Sequence, residues 1–208
     1  TNSYNVGIGY ETGGAITTGI QNTLIGGLAG DALTVGSTNV AVGVSALGAD
    51  TLGNSSVAIG SSALRLQNFT TATDAYNVAI GRAAGENVTT GTNNTLVGGL
   101  AGDALTTGAE NVAVGMQALS TEDAHGQNTA VGMQALRDLN AGATGFNTAI
   151  GHIAGRVMTT GVSNTLIGAS TGDALTDADH NTAVGAGALT ADTLGSKSTA
   201  LGKNALYT

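Results

Sequence analysis

The chain has 208 residues, among them 34 Gly, no Pro, no Cys and no Trp, and it carries a net charge of −8. Without Cys there is neither disulfide nor thiolate-metal chemistry, and the negative balance argues against nucleic acid, because a polyanion would be repelled. No apolar run approaches the roughly 18 residues of a membrane-spanning helix, so this segment is expected neither to insert in a membrane nor to carry a leader.

From the N-terminus, the first element is the phrase Asn5-Val6-Gly7-Ile8-Gly9, and it returns along the whole chain. Its later starts are Asn22, Asn39, Ser56, Asn77, Asn94, Asn111, Asn128, Asn147, Asn164, Asn181 and Ser198, with longer steps than the others before Asn77 and before Asn147. A fixed short period means one unit stacked on copies of itself. The predicted fold is therefore all-β, a parallel β-roll or β-solenoid of twelve coils with about 17 residues per coil.

A four-coil period overlies the first. The position eight residues into each coil is Gly in coils one and two (Gly13 and Gly30) and Leu in coils three and four (Leu47 and Leu64), and this pattern occurs three times. The superrepeats run about 5–76, 77–146 and 147–208, within a single domain spanning 1–208 that reads as a segment of a longer fibre. Gly coils regain an aliphatic plug three positions later, at Ile16, Leu33, Val88, Leu105, Met158 and Leu175. Corner glycines such as Gly19, Gly36, Gly91, Gly108 and Gly161 are expected to supply positive backbone angles in tight turns.

Within each phrase the second residue is Val or Thr and the fourth is Ile, Val or Leu, a β-branched pattern that suits a strand. Alternation puts these two on one face and the third residue on the other. With the second and fourth positions turned inward, the third forms an outward apolar stripe. Leu24, Leu96 and Leu166 would be its knobs, with Ala41, Ala113 and Ala183 between them, as the interface between chains. Leu96→Asp or Leu166→Asp would then break assembly. The phrase-starting Asn5, Asn22, Asn39, Asn77, Asn94, Asn111, Asn128, Asn147, Asn164 and Asn181 read as a structural ladder, each amide bonding its counterpart one coil on.

Two insertions, Arg65–Tyr76 and Arg137–Phe146, account for the long steps. Loops on a solenoid are where recognition can reside, so Phe69, Tyr76, Phe146, Arg65 and Arg137 are the receptor-contact candidates. The alternative is that the aromatics pin the longer loop to the coil body. Asp31, Asp103 and Asp173 recur four coils apart, about 19 Å at strand spacing, too far to act as a pair. His125, His152 and His180 occupy three different repeat positions. No catalytic residue, metal ligand or cofactor is assigned, and no enzymatic activity is expected.

The runs Ser55-Ser56-Val57-Ala58-Ile59-Gly60, Asn77–Gly81 and the Asn-Thr-Ala-Val-Gly phrases resemble the YadA-like head repeats of trimeric autotransporter adhesins, along essentially the whole segment. Similar repeats occur in phage tail fibres and other surface fibres. The resemblance implies a left-handed parallel β-roll, three chains side by side, and an extracellular place on a bacterial surface or virion. It also implies that the partners are other copies of the chain and a host receptor or surface glycan. The family's repeat is commonly shorter than the one here, which implies a longer outer turn in this chain. Two other readings remain: an ice-binding solenoid, which needs an exposed Thr array, and a non-catalytic scaffold of a larger polysaccharide-acting enzyme. Val in five of the twelve second positions suits an interior site better than an ice-facing one.

Overall fold

The computed structural model describes residues 3–142 and 144–207. It is a parallel β-solenoid in which twelve three-residue strands join one sheet in chain order. They are Val6–Ile8, Thr23–Ile25, Val40–Val42, Val57–Ile59, Val78–Ile80, Thr95–Val97, Val112–Val114, Thr129–Val131, Thr148–Ile150, Thr165–Ile167, Thr182–Val184 and Thr199–Leu201. Neighbours pair phrase position to phrase position, even across the long steps, where Val57 faces Val78 and Thr129 faces Thr148. The extra residues therefore bulge outward and leave the sheet register intact. At the first insertion, Gly53–Asn54 and Thr73–Asp74 add a small parallel pair beside the main stack.

The strand faces are the reverse of the sequence expectation. Leu24, Leu96, Leu166, Ala41, Ala113 and Ala183 are all at most 1% exposed, so they line the interior and cannot meet another chain. The second and fourth residues point outward. The coil is too thin for a row of Ile and Val from the sheet to meet the opposite wall. That wall brings in Ala at the seventh position after the phrase start (Ala29, Ala46, Ala63), fully buried, with Leu or Gly beside it.

Space inside is shared between the two walls, and this explains the four-coil period. A Cβ on Gly30 would lie 2.9 Å from both Leu24 Cδ2 and Leu33 Cδ1, and one on Gly102 would lie 2.7 Å from Leu96 Cδ2. A Leu on the strand of coil two thus replaces the Leu missing from the opposite wall of coils one and two. Where the strand residue is Ala41 or Ala113, the opposite wall supplies buried Leu47 or Leu119. The plugs Leu33, Val88, Leu105, Met158 and Leu175 are fully buried, whereas Ile16, in the first coil, is only partly buried.

The Asn ladder exists, with partners that differ from those expected. Each Oδ1 accepts the backbone N–H of the next phrase start, as Asn22 does from Asn39 (2.9 Å) and Asn94 from Asn111 (3.0 Å). Most Nδ2 groups donate to the backbone carbonyl 14 residues on, at the last corner of the same coil, as Asn22 does to Gly36 (2.9 Å) and Asn94 to Gly108 (2.9 Å), whereas Asn128 donates to Gly126, two residues back (3.3 Å). Amide-to-amide bonds occur only beside these, from Asn147 to Asn128 and from Asn164 to Asn147, at 3.2 Å each. Buried amides satisfied this way avoid the cost of an unpaired polar group. At Ser56, which lacks an amide, the Gln67 side chain fills the place. Its Nε2 donates to Ser56 Oγ (2.9 Å) and its Oε1 accepts from Asn77 Nδ2 (2.8 Å).

The corner glycines have a different cause from the one expected. Gly36 is outside the positive-φ region, but a Cβ there would lie 2.5 Å from Gly53 O and 2.7 Å from Leu33 Cδ2, so close approach excludes a side chain. Left-handed backbone sits instead at the residue before each phrase, including Tyr4, Tyr76 and Phe146, and at the glycine that ends each strand.

Candidate functional site

The outward sheet face is the most distinctive surface of the molecule. Its 24 strand positions, two on each of twelve strands, hold only Val, Thr, Ile and Leu, without one charged residue. The fourth-position column is the more apolar, with Ile8 60%, Ile59 36%, Ile80 38%, Ile150 39% and Leu201 78% exposed. Exposed sheet usually carries polar or charged side chains to stay soluble and unpaired. On one side the next column is mixed: exposed Tyr10, Val44, Met116 and Met133 share it with Ser61, Arg82, His152 and Lys203. On the other side stand Tyr4, Tyr76 and Phe146, 70%, 57% and 57% exposed, at the start of each superrepeat.

The receptor-contact candidates divide. Tyr76 and Phe146 are exposed as that role requires, whereas Phe69 is only 5% exposed. Phe69 is therefore corrected to a pin: it seats the first insertion on the coil body, and its backbone N–H points to Asp50 Oδ1 at 3.5 Å. Arg65 is half-exposed and paired with Glu86 one coil on, at 2.8 Å. Arg137 grips the adjacent Asp138 through Nε and a terminal nitrogen, both at 2.6 Å. Both arginines lie in the column that also holds Asp31, Glu86, Asp103, Arg156 and Asp173, so this ridge mixes both signs, and Arg65 and Arg137 are already partnered.

Three acids missed in the sequence shape equivalent turns, and the first two of them also hold the insertions. Asp50, Glu122 and Asp192 hold the same place in coil three of each superrepeat, and Asp50 and Glu122 are fully buried. Asp50 accepts from Gln67 Nε2 (2.6 Å) and from the Gly53 backbone (2.9 Å). Glu122 accepts from the backbone of His125 and of Ala141, at 3.2 Å each. An acid followed three residues later by Gly or His, always in coil three, is the signal that could have found them.

Burial pushes the Asp50 carboxyl above the usual aspartate range, and its hydrogen bonds from Gln67 and the backbone oppose this only in part. Asp103 is raised by burial and further by the Glu86 charge, and Asp173 by burial against the pull of Arg156. Each folded value lies above the unfolded one. The stability tied to these protons is thus fully present below the ordinary aspartate value, about 3.9, and is lost as pH rises through the raised values. The urea midpoint is expected to be higher near pH 4 than at pH 7, with a smaller difference in Asp50→Asn. A midpoint that falls on acidification would contradict this.

No protein-family model matches the chain, and neither a curated protein nor a solved structure matches it.

Proposed function

We propose that this chain is a structural and adhesive fibre module. Copies associate side by side as a homotrimeric head or shaft outside the cell, on a bacterial surface or virion, and hold a host receptor or surface glycan through turns and insertions. The observation that carries the reading is the uncharged outward sheet face. Twelve three-residue strands at about 4.8 Å give an apolar face on the order of 600 Å², approaching one side of a standard interface. A continuous apolar patch of that size is at the upper end of what a soluble monomer exposes. The number of copies and the extracellular setting rest on the resemblance to the adhesin head repeats. Tyr76 and Phe146, exposed beside this face, are the residues offered to the receptor.

The test is the solution mass. Light scattering is expected to give about three times 20.1 kDa. Ile80→Glu combined with Ile150→Glu should lower that mass, because both side chains face outward and neither fills the interior. A monomeric wild type, or an unchanged mass in the variant with its circular dichroism intact, would overturn the reading.

One observation favours a second reading. The second phrase position faces solvent, so Val there no longer argues against an ice-facing role. Thr129, Thr148, Thr165, Thr182 and Thr199 form a continuous outward row in register. A monomer that inhibits ice recrystallisation through this row would replace the fibre reading. The fourth-position column, always Ile, Val or Leu, keeps association first.

A further inference from the structure

We propose that the turn Glu122–His125 binds a divalent transition-metal ion of the zinc class. The three superrepeats provide an internal comparison. The equivalent turns are Asp50-Thr51-Leu52-Gly53, Glu122-Asp123-Ala124-His125 and Asp192-Thr193-Leu194-Gly195. In the outer two, a short carboxylate folds over glycine and accepts its N–H, at 2.9 Å in Asp50 and 2.7 Å in Asp192. A Cβ on either glycine would run into that carboxylate. The middle turn departs at all three polar places at once: the acid is one carbon longer, Thr becomes Asp, and Gly becomes His.

The departure brings together an imidazole and two carboxylates, with one ligand atom from each of Glu122, Asp123 and His125 within 4.8 Å of the others. Glu122 Oε1 and His125 Nδ1 are 3.0 Å apart. Two ligand atoms at about 2.1 Å on one tetrahedral ion are about 3.4 Å apart, so a small opening of this pair would admit one. The Glu122 carboxylate is fully buried, yet its hydrogen bonds come from two backbone N–H groups and the His125 ring, none of them a permanent cation. A dication would supply the charge that a buried carboxylate lacks. His125, half-buried, also borders an open surface cavity of about 330 Å³ with Glu110, Gln127 and Thr144, so its ring is reachable from solvent. An imidazole with carboxylates selects zinc, copper or nickel over calcium and magnesium. Because Glu122 also holds the Ala141 backbone, the ion would tie the turn to the second insertion.

The experiment is calorimetric titration of the full chain, stripped with EDTA, with zinc chloride near pH 7.5. The comparison is Asp123→Thr with His125→Gly, which restores residues that two sibling turns already accommodate. Saturable binding of one zinc per chain at micromolar zinc is expected, weakened at least about tenfold in the variant. Both proteins are titrated well below their metal-free melting temperatures, since the variant loses the His125 ring bond to buried Glu122. His125→Gln, close in size to His, repeats the comparison if the double variant folds poorly. No saturable binding by the wild type, or equal affinity in the variants, overturns the site.

Discussion

Gly98→Ala is expected to cost the stack on the order of 4 kcal/mol, a large share of the 5–15 kcal/mol that holds a typical domain together. Gly98 ends its strand at φ +136°, a region essentially closed to side chains, and strain there costs about 1–3 kcal/mol. The remainder is steric: the new Cβ would sit 2.5 Å from Gly115 O and 2.6 Å from Gly115 C. That neighbour cannot retreat, because Gly115 N–H is bound to Val97 O at 2.7 Å. The next residue provides the control. Around a Cβ on Gly99 there is no heavy atom within 4 Å, so Gly99→Ala should stay within about 0.5 kcal/mol of wild type. Urea denaturation of the pair is the measurement, and coincident midpoints would refute the account of the strand end. Each coil is supported mainly by its neighbours, so Gly98→Ala should also broaden the transition as the two halves of the stack uncouple.

Leu96→Ala is expected to cost about 2–5 kcal/mol, toward the upper end, because cavity cost depends on how well the site can collapse. Here it is bordered by Gly85 and Gly102, which have no side chains to move into the space. Leu96→Asp should unfold the surrounding coils rather than loosen assembly, since it buries a carboxylate where Leu96 is fully enclosed. The sharper test is a rescue. Leu96→Ala with Gly102→Leu recreates, next to Leu105, the set Ala130, Leu136 and Leu139 that the fourth coil already buries completely. The backbone permits it, since Leu136 and Gly102 both have positive φ, 48° and 56°. The double variant should recover part of the loss. Thermal or urea unfolding no better than for Leu96→Ala alone would mean the two walls do not exchange volume.

Periodicity made the coil, its register and its strand positions legible, because stacking forces equivalent residues into equivalent places. Which strand face is inside was not legible from alternation, since both rows are apolar: Ala and Leu on one, Val, Thr and Ile on the other. Volume carries that information. Leu24 occurs with Gly30 and Ala41 with Leu47, an anticorrelation that only residues sharing one interior need obey. The insertions were visible as broken spacing, but the burial of Phe69 and the bridging of Ser56 by Gln67 depend on distances that a one-dimensional pattern does not contain. The Glu122–His125 turn was hidden for a similar reason. His125 looks isolated in its repeat position until the turn is compared with its two siblings.

The side-chain amide that opens most coils takes hold of two points further along the chain, as Asn22 does at Gly36 and at Asn39. Neither lies upstream. A coil is therefore sealed by residues that follow it, and the sealed coil presents a finished edge for the next turn to settle on. Such a stack can be assembled in the order in which its chain is delivered, one turn at a time, without waiting for a distant segment to arrive. A polymer that must emerge end-first from a ribosome or a narrow export channel gains from that polarity: growth proceeds at the newest turn while everything behind it is already closed.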